Sequence, residues 1–395
     1  MRDRRPHSAL RVGILVAAAL TVAAAIRAQE LVTEVGAEQL VVATGDYPSL
    51  TYDAQGRGVI AWLESPTATT TAAVRARRLS GTTLGAPFQV SPANRWAEDP
   101  RVAMDGQGNF IVVWSAGEVR GQLYRNDGRP RGGELVLSPR NVGGFHPEVA
   151  MARDGRFALG WEHSTWDPSR QVRFATFNAK GNRFSPIVTM PAIGTLANLV
   201  GAVSASQSSV AIGWTEFTPC PSNPIDPVSA VYTFNWSLNP LREVDRLANN
   251  NPCVDGPQVL AMPNSDQGPL GIFVGRRYSI QRFSPTNGTR VGARTNVSEF
   301  PACPGGTACE RVKAVAGDPR GRFVFIWERF ENGVYNLVAE LYSREGTRRV
   351  ERFPINAHAS NTEEHPSAAL TNDGTLIVTW QRQGEGVLMR RFRIE

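Results

Sequence analysis

The chain has 395 residues, of which 42% are hydrophobic and 8% aromatic, and its formal net charge is +6. This composition is typical of a globular protein and excludes a largely disordered chain. Residues 1–28 contain five arginines and one aspartate, a net +4 of that total, so the remaining chain carries only +2. Its overall charge therefore gives no support to nucleic-acid binding.

The N-terminal segment has the pattern of a signal peptide. Several arginines precede an apolar run from Val12 to Ile26, and the small residue Ala28 follows. We predict a signal peptide over residues 1–28 and a protein that is secreted or periplasmic, with no membrane insertion after cleavage. An uncleaved anchor is the alternative, although about 20 apolar residues are usual for a spanning helix.

One sequence unit recurs along the rest of the chain. Its most regular copy, from Pro100 to Trp114, is PRVAMDGQGNFIVVW. Two apolar runs flank a turn from Asp105 to Gly108, which predicts a β-hairpin. Further runs at 120–124 and 133–137 predict a third and a fourth strand. Each repeat is therefore expected to be a four-stranded antiparallel meander.

The repeats are counted from a tryptophan at the end of each second strand. These residues are Trp62, Trp114, Trp161, Trp214, Trp327 and Trp380, and Val274 takes the place of a seventh. A period of about 50 residues with four strands each is typical of a β-propeller. We predict an all-β fold, a seven-bladed β-propeller of four-stranded antiparallel blades.

The unit P-x-V-A-x-D-x-x-G-x-F-V-V-x-W resembles the tandem repeats of secreted bacterial β-propeller proteins. The resemblance covers nearly the whole chain after residue 28. It implies the propeller fold, export and a bacterial source, but no particular activity.

The two ends of the chain predict how the ring closes. The last repeat ends after its third strand, near Arg393, and residues 32–43 resemble the fourth strands of other repeats. We predict that this N-terminal strand completes the last blade and closes the ring. Residues 29–395 would then form a single domain, a monomer.

In such a meander, the loops between second and third strands and between repeats share one end, which we call the variable face. The opposite end, with the short glycine turns, is the turn face. Loops on a rigid scaffold often carry binding residues. Four cysteines fall in variable-face segments, and an even number in an exported chain predicts disulfides. Proximity favours Cys220–Cys253 and Cys303–Cys309, but other pairings and a four-thiolate zinc site remain open.

Acidic and polar side chains are expected to gather where the central channel opens on the variable face. One group follows the repeat tryptophans, and another leads into the first strands. Their members are Glu64, Glu162, Glu216, Glu328 and Gln381, then Asp46, Asp99, His146, Asp255, Glu310, Glu364 and His365. A purely structural role for such recurring residues is the competing interpretation.

We predict a non-catalytic recognition protein that binds a glycan or a protein, with no cofactor and no metal. The sequence contains no G-x-S-x-G, H-E-x-x-H or phosphate-loop motif. Trp96 and Trp166, which lie outside the repeat position, are candidates for stacking on a ligand. The predicted binding residues are Trp96, Asp99, His146, Glu162, Trp166, Glu216, Glu328 and His365.

The alternative is a glycan-active hydrolase or lyase. Its catalytic residues would be among Glu162, Glu216, Glu328, His146 and His365. The arginine runs at 75–78 and 390–391 lie on third strands, where we expect their side chains to face solvent.

Overall fold

A computed structural model describes residues 31–395 except 54, 65–70, 94, 141–142, 164–170, 192–197, 219–225, 248–270, 276–278, 285–286, 288, 297–307, 332 and 359–362. The described residues contain strands and no helix, so no helix among them could span a membrane. They form seven antiparallel sheets. The all-β prediction is confirmed.

The first three sheets follow the repeats in chain order. The first contains β3 (Gly45–Tyr52), β4 (Arg57–Glu64), β5 (Ala73–Ser80), β6 (Thr83–Leu84) and β7 (Phe88–Gln89). The second contains β8 (Glu98–Met104), β9 (Phe110–Ser115), β10 (Val119–Tyr124) and β11 (Leu135–Val136). The third contains β12 (Phe145–Met151), β13 (Phe157–His163), β14 (Gln171–Phe177) and β15 (Val188–Thr189).

The next three sheets continue the pattern. The fourth contains β16 (Asn198–Ala205), β17 (Ser209–Thr218), β18 (Asp226–Asn235) and β19 (Pro240–Leu247). The fifth shows β20 (Gly271–Gly275), β21 (Ser279–Phe283) and β22 (Arg290–Asn296) among the described residues. The sixth contains β23 (Ala308–Gly317), β24 (Phe323–Glu331), β25 (Val334–Tyr342) and β26 (Arg348–Pro354).

The seventh sheet joins the two ends of the chain. It contains β27 (Glu363–Leu370), β28 (Thr375–Arg382) and β29 (Gly386–Ile394), together with β1 (Val32–Glu34) and β2 (Gln39–Val42). Both N-terminal strands pair antiparallel with β29. The segment predicted as one strand over 32–43 is thus two short strands, with a bend at residues 36–37.

The hairpin turns form as the unit predicts. In the second sheet, the Asp105 carboxylate accepts hydrogen bonds from the backbone N–H groups of Gln107 and Asn109, both at 2.8 Å. Gly108 has φ of +83°, a left-handed conformation that glycine adopts without steric cost. The aspartate and glycine of the repeat are therefore turn residues.

The repeat tryptophans lie between neighbouring sheets. Trp114 packs in one cluster with Val59 and Ala61 of the first sheet, and Trp161 packs with Ile111 of the second. Trp62 packs with residues of the seventh sheet, so the first and last sheets are neighbours. All six tryptophans are at most 1% exposed. Contacts with a second sheet are formed by Trp62, Trp114, Trp161, Trp214 and Trp380.

The first strands of six sheets surround a single cavity of about 370 Å³, which we call the central channel. Its wall includes Leu50, Val102, Val149, Val203 and Val315, with Ala368 from the seventh sheet. Neighbouring first strands are also joined directly. Leu50 N donates to Ser367 Oγ at 3.0 Å, and Val102 N donates to Ser49 Oγ at 3.1 Å.

The expectation that the arginine run at 390–391 faces solvent is wrong. Arg390 is 9% exposed and Arg391 is 6% exposed, because the N-terminal strands cover this part of the seventh sheet. Arg390 pairs with Glu34 at 2.5 Å, and Arg391 donates to Gln39 Oε1 at 3.3 Å. The two arginines therefore bind the N-terminal segment through side-chain contacts and are not exposed to solvent.

Two glycines near this junction give a matched stability test. Gly386 and Gly384 both have positive φ, but a Cβ at Gly386 would lie 2.1 Å from Val42 O, whereas a Cβ at Gly384 would meet nothing within 4 Å. We expect G384A to cost about 1–2 kcal/mol in left-handed strain. G386A should cost more, because it also displaces β2.

The measurement is the free energy of unfolding in urea for the wild type and both variants. Equal losses in G386A and G384A would show that the pairing of β2 with β29 adds no stability beyond backbone strain.

Candidate functional site

Four first strands begin with the same backbone irregularity. The residue before the repeat proline has φ of +52° at Tyr47, +50° at Asp99, +45° at His146 and +49° at His365. The strand register shifts at each of these positions. Left-handed backbone is uncommon for residues other than glycine and recurs at functional sites. We call the ends of the first strands that carry these four residues the channel mouth.

At the mouth, the seventh sheet meets the first through a pair of rings. The ring centroids of Tyr47 and His365 are 4.2 Å apart, and Tyr47 remains 37% exposed. Gln381 connects the pair: its Oε1 lies 3.1 Å from His365 Nδ1 and accepts from Tyr47 N at 3.4 Å. Its Nε2 donates to Asp46 Oδ1 at 2.7 Å. Gln381 thus connects the His365 ring to the backbone of Tyr47 and to the Asp46 side chain.

The second sheet meets the third through a histidine between two carboxylates. His146 Nδ1 lies 3.0 Å from Glu162 Oε2, and His146 Nε2 lies 3.6 Å from Asp99 Oδ2. Glu162 is 1% exposed, whereas the His146 side chain is 48% exposed. The hydrogen bond that His146 donates to the Glu162 carboxylate raises the pKa of His146, against the opposing effect of burial. The imidazolium is therefore favoured at this position.

An ion pair also joins these two sheets, one residue beyond each proline. Arg101 Nε lies 2.6 Å from Glu148 Oε1. Burial raises the pKa of Glu148, although Arg101 acts in the opposite direction. This pair links the first strands next to the mouth and satisfies both charges within the protein.

Negative charge collects around Tyr47. Burial raises the pKa of its phenol, and nearby carboxylates raise it further by disfavouring the phenolate. In order of effect, these carboxylates belong to Asp99, Asp46, Glu364 and Glu98. They come from the seventh, first and second sheets, so the mouth concentrates charge that is dispersed along the sequence.

The acidic residues after the tryptophans divide into two groups. Glu162, Glu328 and Gln381 directly follow a tryptophan, whereas Glu64 and Glu216 lie two residues after Trp62 and Trp214. Side chains alternate along a strand, so these positions point to opposite faces of the sheet. Glu64 accordingly pairs with Arg75 of the third strand at 3.1 Å and takes no part in the mouth contacts described above.

The remaining predicted site residues have varied surroundings. Glu328 is 7% exposed and pairs with Lys313 at 2.5 Å in the sixth sheet. Trp96 is 55% exposed, just before the second sheet begins. Glu216 lies in β17, but its side chain is outside the described part of the structure, as is the whole of Trp166. Cys220, Cys253 and Cys303 are outside the described residues, and of Cys309 only its place in β23 is described, so the disulfides stay a prediction.

Sequence reasoning missed Tyr47, Arg101 and Glu148 as residues of the mouth. A signal was present, because Tyr47 and Asp99 precede Pro48 and Pro100 just as His146 and His365 precede their prolines. Aligning the repeats on the proline would have placed all four side chains at equivalent positions. Within the described residues, no group of three or more His, Cys, Asp or Glu is arranged to hold a metal ion.

The fold is similar to solved structures of low sequence identity. The Dos1 propeller aligns with a TM-score of 0.50 and 9% identity, over 92% of this chain and 94% of that one. The α-L-arabinanase of Penicillium chrysogenum complexed with arabinobiose has a TM-score of 0.48 and 10% identity, over 93% and 98%. The GH93 α-L-arabinofuranosidase of Fusarium graminearum complexed with arabinobiose has the same TM-score and identity, over 93% and 97%.

No protein-family model matches the chain, and neither does any curated protein. At 9% identity, the likeness to the Dos1 propeller is evidence for the fold alone. Together with the antiparallel sheets around the central channel, it shows that the chain is an all-β protein with a β-propeller fold.

The contact between His146 and Glu162 predicts a measurable titration shift. We expect the pKa of His146 to lie above the model-peptide value of about 6.5 and to fall in E162Q, because an amide cannot stabilise the imidazolium as a carboxylate does. The histidine ring signals, followed by NMR through a pH series and assigned with H146N, give both values.

The same contact has a consequence for stability. Because folding raises the pKa of His146, its stabilising contribution is fully present below about pH 6.5 and is lost as pH rises through the folded-state value. An unchanged His146 titration in E162Q would show that the contact has no electrostatic effect.

Proposed function

We propose that this protein is an exported, seven-bladed propeller whose channel mouth binds a glycan without converting it. The seven-bladed ring is supported by seven sheets and by the packing of Trp62 against the seventh sheet. The first strand of the fifth blade would fall before β20, within the part of the chain that is not described. Ring closure is supported by the pairing of β1 and β2 with β29.

The observation that carries the binding proposal is the pair of rings formed by Tyr47 and His365. Ligand sites combine aromatic surface with a few well-placed polar groups. Tyr47 offers a partly exposed ring that contacts His365, and Gln381 accepts a hydrogen bond from its backbone N–H. A sugar ring has an apolar face that matches an aromatic face, and it has hydroxyl groups that match carboxylates and amides. The mouth therefore provides both kinds of contact for a glycan.

The pairing of the carboxylates favours binding over catalysis. A glycosidase needs two carboxyl groups that reach the scissile bond, one of them as an acid. Here Glu162 is buried against His146, Glu148 pairs with Arg101, and Glu328 pairs with Lys313. Each of these groups has a positively charged or hydrogen-bonding partner within the protein, which competes with any contact to a ligand.

A glycan-active enzyme remains the second candidate because of one arrangement. Asp99, His146 and Glu162 form a series in which an exposed imidazole lies between two carboxylates. A carboxylate that orients a histidine is a common arrangement for a general base. In this case His146 would act on the substrate and Glu162 would fix its position.

The N-terminal sequence supports a proposal for the location of the protein. The apolar run before residue 28 supports export to the periplasm or the medium, and the four cysteines support disulfides in that compartment. We propose that the mature protein begins near Gln29 and acts as a monomer, with no cofactor and no nucleic-acid partner.

A substitution that keeps the backbone but removes the ring tests the binding proposal. Asparagine tolerates left-handed backbone, so Y47N should fold normally. We expect it to weaken binding of the glycan that wild type selects from a panel by about tenfold, which corresponds to about 1.4 kcal/mol for a residue central to binding. E64Q, which removes a carboxylate that pairs with Arg75 on the other face of the sheet, is the matched control and should bind as wild type does.

The readout is pull-down and calorimetry on a panel of polysaccharides and cell-wall material, with released oligosaccharide measured in the same samples. Binding without release is expected. Release that is lost in H146N but retained in E64Q would establish the enzyme instead. A panel that gives neither binding nor release would remove glycans and make a protein ligand the better proposal.

A further inference from the structure

The exposed ring at the mouth lies in a strongly negative environment. Tyr47 keeps 37% of its surface exposed while its ring contacts His365. Carboxylates from three sheets act on its phenol electrostatically, and they belong to Asp46, Glu98, Asp99 and Glu364. The face of an aromatic ring carries partial negative charge and attracts a cation. Neighbouring carboxylates strengthen that attraction.

Among the described residues, the arginine and the histidine that join the second and third sheets already have carboxylate partners. Arg101 is held by Glu148 at 2.6 Å, and Lys313 is held by Glu328 at 2.5 Å. His146 lies between Asp99 and Glu162. The positive charge of its imidazolium is balanced by the buried Glu162 carboxylate, and the charge of Asp99 is then additional. Glu98 and Glu364 add charge on either side of Tyr47. Even with His365 charged, the carboxylates of Glu98, Asp99 and Glu364 outnumber it around the exposed ring among the described residues.

Asp99 is placed to meet a ligand. Its Oδ2 lies 3.6 Å from His146 Nε2, which is longer than a hydrogen bond, and its side chain is 14% exposed. Its left-handed backbone occupies the position in the second sheet that Tyr47 occupies in the first. The ring and the carboxylate thus belong to equivalent positions of neighbouring first strands.

We propose that the channel mouth recognises a glycan that carries protonated amines, with an ammonium group over Tyr47 and beside Asp99. The inference rests on the glycan-binding function proposed above and specifies its ligand. An amino sugar offers an apolar ring face and a cation in one unit, which matches the aromatic ring and the carboxylates together. A neutral sugar would cover these carboxylates without supplying a counter-charge, which lowers affinity and selects against it.

The test compares two oligosaccharides that differ only in N-acetylation, which removes the positive charge and adds an acetyl group. The probes are the β-1,4-linked hexamer of glucosamine and its fully N-acetylated form, titrated by calorimetry into the mature protein at about pH 6, below the usual pKa of a primary amine. We expect the glucosamine hexamer to bind at least tenfold more tightly. Its affinity should fall as NaCl rises, since salt screens exposed charges.

Three variants locate the effect. D99N should lose about fivefold in affinity for the glucosamine hexamer, and Y47N about tenfold, because asparagine tolerates the left-handed backbone at both positions. E64Q should match the wild type, since Glu64 pairs with Arg75 away from the mouth. Thermal melting of each variant separates a loss of affinity from a loss of folding.

The possible results distinguish a failure of the amine specificity from a failure of the proposed glycan binding. Equal binding of the two hexamers, or binding that D99N and Y47N do not affect, would overturn the amine specificity and leave glycan binding standing. If neither hexamer binds but another glycan of the panel binds at Tyr47, the amine specificity is likewise overturned and glycan binding still stands. Binding of a lysine homopolymer but of no glycan would overturn both proposals in favour of a basic protein ligand.

Discussion

The packing of a tryptophan against the preceding sheet, present in five of the seven sheets, is the constraint on which the rest of the structure depends. A tryptophan buries roughly 200 Å², which corresponds to about 5 kcal/mol of transfer free energy. Trp62, Trp114 and Trp161 each meet the preceding sheet and are almost fully buried. Because this contact repeats at a fixed place in the second strand, it fixes how far each sheet rotates from the last, and it brings the first strands around a common channel.

That geometry explains why the two ends of the channel differ. At the turn face, an aspartate such as Asp105 satisfies the backbone of its own hairpin, and the loops are short. At the mouth, the first strands begin with a left-handed residue before a proline, which moves the side chain out of the regular alternation. The tryptophan contacts stabilise the sheets strongly enough to tolerate this strain four times. The mouth is therefore where the repeat can vary its side chains without disturbing the packing.

The sequence predicts the repeating parts of the fold because their physical causes are local. The turn at Asp105, the strand ending at Trp114 and the packing of that tryptophan all follow from spacing within one repeat. Contacts between distant parts of the chain cannot be predicted from the spacing within one repeat. The partnership of Tyr47 with His365 joins residues 318 positions apart, and the burial of Arg391 depends on strands from the opposite end of the chain. Glu64 and Glu162 look alike in sequence, but they lie two residues and one residue after their tryptophans. This difference of one residue places their side chains on opposite faces of the sheet.

The recurring residues differ in whether their side chain or only their backbone is repeated. Recurrence alone favours a structural role, and the prolines and turn aspartates fit that role. At the position before the proline, however, the backbone recurs while the side chain changes, from tyrosine to aspartate to histidine. A position that needed only to make the bulge would be expected to hold glycine or asparagine, which adopt left-handed backbone most readily. Larger charged and aromatic residues at this position, held by Gln381 and Glu162, are better explained by what they present at the mouth.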